Sequence, residues 1–241
     1  MLASFAGYKL VFAWYSSGRG SSPPPRVLLL LRVFGFDRRT QRLLDSLGQR
    51  WRYIGPIRLI GGPDLAETSL EPHEFLEFLN RRLSRAFITG PDHLERRLAA
   101  SPTRPDPDGL FRIDDFFCHD DTWRLTVRYL ARAADALLMD LRGFTRANQG
   151  CIFEIEHLVT EVPLHRVVLL VDSSTDVPFL EHTLRRAWSV LPHDSPNARA
   201  GQHSLRMLQA SSSGRALEVL MGLLCDTFDR ASPQHAAWRA G

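Results

Sequence analysis

The feature that most constrains this chain is its alternation of short apolar runs with longer amphipathic stretches. Residues 27–33 (VLLLLRV) form a nearly continuous apolar run, as a strand buried on both faces requires. Residues 38–51 then place Leu43, Leu44, Leu47 and Trp51 at helical spacing. Residues 57–60 (IRLI) read as a second strand stopped by Gly61, Gly62 and Pro63, and residues 71–83 as a helix with Phe75, Leu76, Phe78 and Leu79 inward. From 84 to 118 the pattern loosens. It holds a short strand candidate (AFI), a helix around 94–98 and the turn-rich SPTRPDPDG. Regularity returns with a helix at 121–134, a strand at 136–141 and a helix at 148–160. A strand at 166–171, a helix at 177–190, a strand at 205–208 and a helix at 215–228 follow. Repeated strand–helix alternation predicts an α/β fold, a mainly parallel sheet with helices on both faces. Five main strands predict the flavodoxin-like, doubly wound order 2-1-3-4-5, with 84–118 as an irregular excursion after the second helix.

The 241 residues, 44% hydrophobic and 24% charged, suffice for one large domain with a substantial core. Residues 16–25 (SSGRGSSPPP) have the composition of a linker. The reading is therefore an apolar start and linker over 1–25, an α/β domain over 26–230 and a tail over 231–241. The stretch 1–15 is apolar but shorter than the ~20 residues that span a bilayer. It can be a membrane-proximal start; the expected place of the domain is the cytoplasm, which the scattered cysteines fit, with the cytoplasmic membrane face as the further expectation.

The net charge is +3 and the isoelectric point about 9.0. Lys9 is the only lysine, and the arginines are interleaved with acidic residues rather than gathered into a basic track. Nucleic acid is therefore not an expected partner. Cys118, Cys151 and Cys225 are odd in number and far apart, which argues against a disulfide framework and against a zinc site. The nine histidines show no metal-ligand spacing, and there is no GxSxG, GxGxxG or P-loop motif.

In open parallel sheets, ligands sit beyond the carboxyl ends of the strands where the strand order reverses. Two loops meet there in the predicted order: the one after Val33, with Phe34, Gly35, Asp37 and Arg38, and the one after Leu141, from Arg142 to Gly150. Glu154 lies one turn into the helix that the second loop opens. Cys151, Ile152, Phe153 and Ile155 make its surroundings apolar, so its carboxyl is expected to be partly desolvated with a raised pKa. Each piece also has a plain structural role open to it. Glu154 and Glu156 can complement the helix dipole, Asn148 can cap the helix, and Arg142 and Arg146 can be solvated. Arg32 can be an ion-pair partner.

The stretch 135–159 (DALLMDLRGFTRANQGCIFEIEHLV) resembles the third strand, loop and helix of TIR domains, where an aromatic–Cys–Leu–x–Glu–Leu pattern opens the helix. Aligned on Cys151, Glu154 falls on the TIR glutamate and Ile155 on the following leucine. LLRVFGFDRR is loosely similar to the TIR opening. The resemblance extends over 27–228 and is specific only around Glu154, with Gly150 in place of the usual aromatic. NQGCIFEI is also similar to the D-x-G-T-x-x-E motif of nucleoside 2-deoxyribosyltransferases, with Asn148 in place of the aspartate. Both families break an N-glycosidic bond to a ribose, which needs a carboxylate beside the anomeric carbon.

The resemblance implies an NAD glycohydrolase or signalling domain of bacterial immunity. NAD would be its substrate, no cofactor is implied, and self-association is expected. It implies Glu154 as the catalytic carboxylate, Phe34, Gly35 and Asp37 as pocket floor, Arg32 and Arg142 as phosphate contacts, and Asn148 beside the substrate. Two alternatives stay open: a non-catalytic interaction or nucleotide-sensing module, and a nucleoside-processing transferase or hydrolase.

Overall fold

A computed structural model of the chain describes residues 24–32, 38–61, 87–102, 104–199, 204–210 and 214–229. Its centre is one parallel sheet of seven strands: β1 (Leu28–Arg32), β2 (Ile57–Gly61), β3 (Phe87–Ile88), β4 (Ile113–Cys118), β5 (Ala136–Asp140), β6 (Val167–Val171) and β7 (Arg206–Gln209). The spatial order is β3-β4-β2-β1-β5-β6-β7, every pair parallel.

The helices are α1 (Arg38–Trp51), α2 (Pro91–Ala100), α3 (Trp123–Ala133), α4 (Gln149–Glu161), α5 (Val177–Ser189), the single turn α6 (Pro196–Arg199) and α7 (Gly214–Asp229). The expected order 2-1-3-4-5 is present as β2-β1-β5-β6-β7, and the expected α/β architecture stands. The helix expected at 71–83 lies outside the described residues.

The difference lies in the excursion. It is a β3–α2–β4 unit that widens the sheet by two strands beyond β2. β4 was not legible as a strand because Asp114 and Asp115 interrupt its apolar run. It lies next to the edge strand, and four of its six residues are only partly buried. The central strands are different: all five residues of β5 and of β6 are buried.

Alternation along the strands sorts the core into two halves. Leu29, Leu31, Leu137, Met139, Leu169 and Val171 point to the face covered by α2, α3, α4 and α5. Leu28, Leu30, Ala136, Leu138, Val168 and Leu170 point to the other, covered by α1 and α7. The strand order reverses between β1, whose helix runs under one face, and β5, whose helix runs over the other. That switch point is where the α4 N-terminus arrives.

Four hydrogen bonds anchor α4, one at its start and three at its far end. The Cys151 thiol donates to the Arg32 carbonyl at the end of β1 (3.9 Å). At the other end, the Asn197 amide donates to the carbonyls of Val159 (2.7 Å) and Val162 (2.8 Å), while its oxygen accepts from the Leu164 N–H (3.0 Å). These bonds satisfy the carbonyls that a helix C-terminus leaves without partners. Among the described residues, no helix is long and apolar enough to cross a membrane.

Candidate functional site

Glu154 sits on the flank of α4 that faces α3. Two ion pairs mark the helix's flanks: Glu161 with Arg132 of α3 (2.5 Å), and Glu156 with Arg186 of α5. At 3.6 residues per turn, Phe153, His157 and Glu154 fall on the α3 side and step inward toward the sheet. Burial separates the outer residue from the two inner ones. Phe153 is half-buried, His157 is 5% exposed and Glu154 is 6% exposed.

The two inner polar groups share a property with a few other buried side chains, Arg58 among them. Among the described residues, Glu154 Oε2 and His157 Nε2 are both buried with no hydrogen-bond partner. An orphan of this kind costs about 1–3 kcal/mol unless a water or a ligand meets it. Burial pushes the Glu154 carboxyl up to about 8, while the Trp123 indole beside it pulls it part of the way back. Burial also lowers His157; Glu161 opposes this, and Arg128 and Arg132 add to it. At neutral pH the site therefore holds a protonated carboxyl and an uncharged imidazole.

Aromatic rings pack along the same seam between α3 and α4. Trp123 lies 5.3 Å from Phe153, centroid to centroid, and the His157 ring runs nearly parallel to Phe153 at 6.2 Å. Trp123 opens α3 just after the carboxyl end of β4, and Glu154 follows the carboxyl end of β5, so both lie toward the ligand-binding edge of the sheet. Cys151 and Cys118 contribute no reactive thiolate. Burial raises both thiols, Cys118 to about 11.

The other expected site residues scatter. Arg32 shares the parity of Leu28 and Leu30 and lies beside Asp140 across the β1–β5 pair, so it points to the α1–α7 face, opposite α4. Arg142 is engaged rather than open to a phosphate. Its Nε and Nη2 donate to the two Asp140 oxygens at 2.8 and 2.6 Å, and its backbone N–H donates to Oδ1 at 3.2 Å. Asn148 occupies the N-cap position of α4, but its side chain does not cap the helix. It turns back, accepting from the Thr145 N–H (2.8 Å) and hydroxyl (3.1 Å), and so closes the preceding turn. Phe34, Gly35 and Asp37 lie outside the described residues.

A shallow cavity of about 290 Å³ opens on the α5 side of α4, lined by Arg146, Pro178, Phe179 and His182. There the Arg146 guanidinium covers the Phe179 ring at 5.3 Å. Among the described residues, no group of three or more His, Cys, Asp or Glu is placed to hold a metal ion.

His157, Trp123 and the arginines of α3 were not singled out from the sequence. The usable signal was the i, i+3 spacing of Glu154 and His157, which places two titratable groups on one helix flank. Comparison with protein families, with curated proteins and with solved structures finds no match to this chain.

Proposed function

We propose that the protein cleaves an N-glycosidic bond to ribose, with a pyridinium nucleotide such as NAD as substrate and Glu154 as the carboxylate beside the anomeric carbon. The observation that carries this reading is the buried Glu154 oxygen without a partner, one turn into the helix that follows the switch point. The TIR-like pattern around Cys151 and Glu154 supports it.

In this reaction the bond from C1′ to the base nitrogen breaks and its electron pair leaves with the base, quenching the pyridinium charge. The oxocarbenium left behind is stabilised by ionised Glu154. Water then adds to C1′ and its proton passes to Glu154 or to solvent. An empty site with its carboxyl at about 8 is mostly protonated at pH 7. A cationic base docking beside it favours the charged form and releases the proton. The substrate's own charge thus switches the carboxylate on.

Two measurements test this. Wild type at high concentration should release nicotinamide from NAD, with kcat/KM rising as pH passes through about 8. Glu154→Gln should lose at least about 100-fold in rate, the scale of one electrostatic stabiliser. Equal turnover by Glu154→Gln would sink the assignment.

The depth of Glu154 favours a second reading, a non-catalytic nucleotide-sensing or interaction module. Glu154 is only 6% exposed, and the cavity at this edge opens on the opposite side of α4. A melting temperature raised by NAD without any turnover would select that reading.

A further inference from the structure

We propose that the surface seam between α3 and α4 is a phosphate-binding subsite, in which Arg124 and Arg128 hold the phosphate or pyrophosphate of a nucleotide whose sugar lies toward Glu154. The orientation of the ligand rests on the reading above; the anion site itself does not.

Arg124, Arg128 and Arg132 recur every fourth residue on α3 and form one exposed stripe. Arg132 is paired with Glu161. Among the described residues, neither Arg124 nor Arg128 has a carboxylate within 4.0 Å. Instead both guanidiniums lie over one ring, Phe153, at 5.0 and 5.7 Å from its centroid. A guanidinium resting over an aromatic ring keeps N–H groups for a second partner, and it gives up less motion when it binds. Two like charges gathered on one ring repel each other, and an anion placed between them removes that repulsion.

His157 is the second, independent observation. Its ring lies along Phe153, and its Nε2 is buried without a partner. Arg128 and Arg132 are the cations that act on it, with Glu161 opposing. A neutral imidazole among cations can give its N–H to an oxyanion without adding a further charge. The α3–α4 seam thus carries three arginines against one glutamate at its surface, with the His157 imidazole and the Glu154 carboxyl buried beneath them on the same flank of α4.

This subsite replaces Arg32 and Arg142 as the phosphate contacts. Arg32 points to the opposite face of the sheet, and Arg142 is engaged by Asp140.

The test uses the full chain and inorganic pyrophosphate as probe, titrated calorimetrically at constant ionic strength. Wild type should bind, and Arg124→Gln/Arg128→Gln should bind at least ten-fold more weakly. Arg185→Gln, an exposed change on α5, should bind as wild type does. If the glutamine pair lowers the melting temperature, Arg124→Lys/Arg128→Lys keeps the charge without the planar fork and should bind with intermediate affinity. Unchanged affinity in the glutamine pair, or no binding by wild type at millimolar pyrophosphate, overturns the subsite.

The same variants with NAD separate this proposal from the reaction. Turnover with an unchanged KM in the glutamine pair removes the subsite and leaves the glycosidic reading standing. Loss of pyrophosphate affinity in a protein whose wild type releases no nicotinamide keeps the subsite and removes the reaction.

Discussion

The carboxyl edge of the sheet carries two polar clusters, one on each face, and they are built in opposite ways. On the α1–α7 face, Asp140 meets Arg142 through two side-chain bonds and a backbone N–H, with only 3% and 16% of the two side chains exposed. On the α3–α4 side, Glu154 and His157 are as deeply buried but each keeps a polar atom without a partner. In the first cluster the desolvation of each charge is offset inside the protein. In the second it is not, and a ligand can offset it. A matched buried pair is a structural joint, whereas an unmatched one is where binding energy can be collected.

The sharpest way to break this comparison is to unmatch the joint. Asp140→Ala should cost about 3–5 kcal/mol in urea unfolding, since it strips a buried charge pair of one member. A loss below about 1 kcal/mol would show the pair to be incidental.

The next effect has the opposite sign. The Glu154 carboxyl titrates near 4.5 in the unfolded chain and near 8 in the folded one. Between those values the unfolded chain has released its proton while the folded chain still holds it. Stability should therefore fall as pH rises across that window and level off above it, by up to a few kcal/mol. Glu154→Gln should flatten this slope and be more stable than wild type at pH 8. A slope left intact in the variant would move the titration elsewhere.

His157 works at the acid end. Its folded value lies below the ordinary 6.5, so acid protonates the unfolded chain first and stability falls as pH drops below about 6.5. His157→Gln should remove that loss.

The smallest effect tests the loop that leads into α4. Gly143 has φ +78, and an alanine there meets no neighbouring atom but takes up a left-handed backbone, at a cost of roughly 1 kcal/mol.

The central fold was legible because β1, β5 and β6 are apolar on both faces, a pattern that amphipathic helices do not share. The ends of α4, α5 and α7 follow the apolar periodicity to within a residue or two. β4 escaped because two aspartates and its place near the edge dilute the pattern. The site was half legible. The apolar neighbours of Glu154 gave its burial correctly, but one-dimensional spacing cannot say which face of a sheet a strand residue serves. Arg32 and Arg142 therefore looked like companions of Glu154, and the register sets Arg32 on the far face. The arginines of α3 were invisible as a group because they meet Phe153 only through tertiary packing.

The sheet's order also dictates when the protein can begin to fold. Val27 bonds to Asp135 across 108 residues of chain, and β1 finds β5 only along that seam. On a ribosome adding about 5–20 residues per second, the first strand is exposed for several seconds before its central partner exists. β2 meanwhile waits for β4 on its other edge. Pairing this distant in sequence makes for slow folding. A half-made chain with open apolar strands is a natural client for chaperones, and truncation anywhere before β5 should yield an insoluble product rather than a smaller domain.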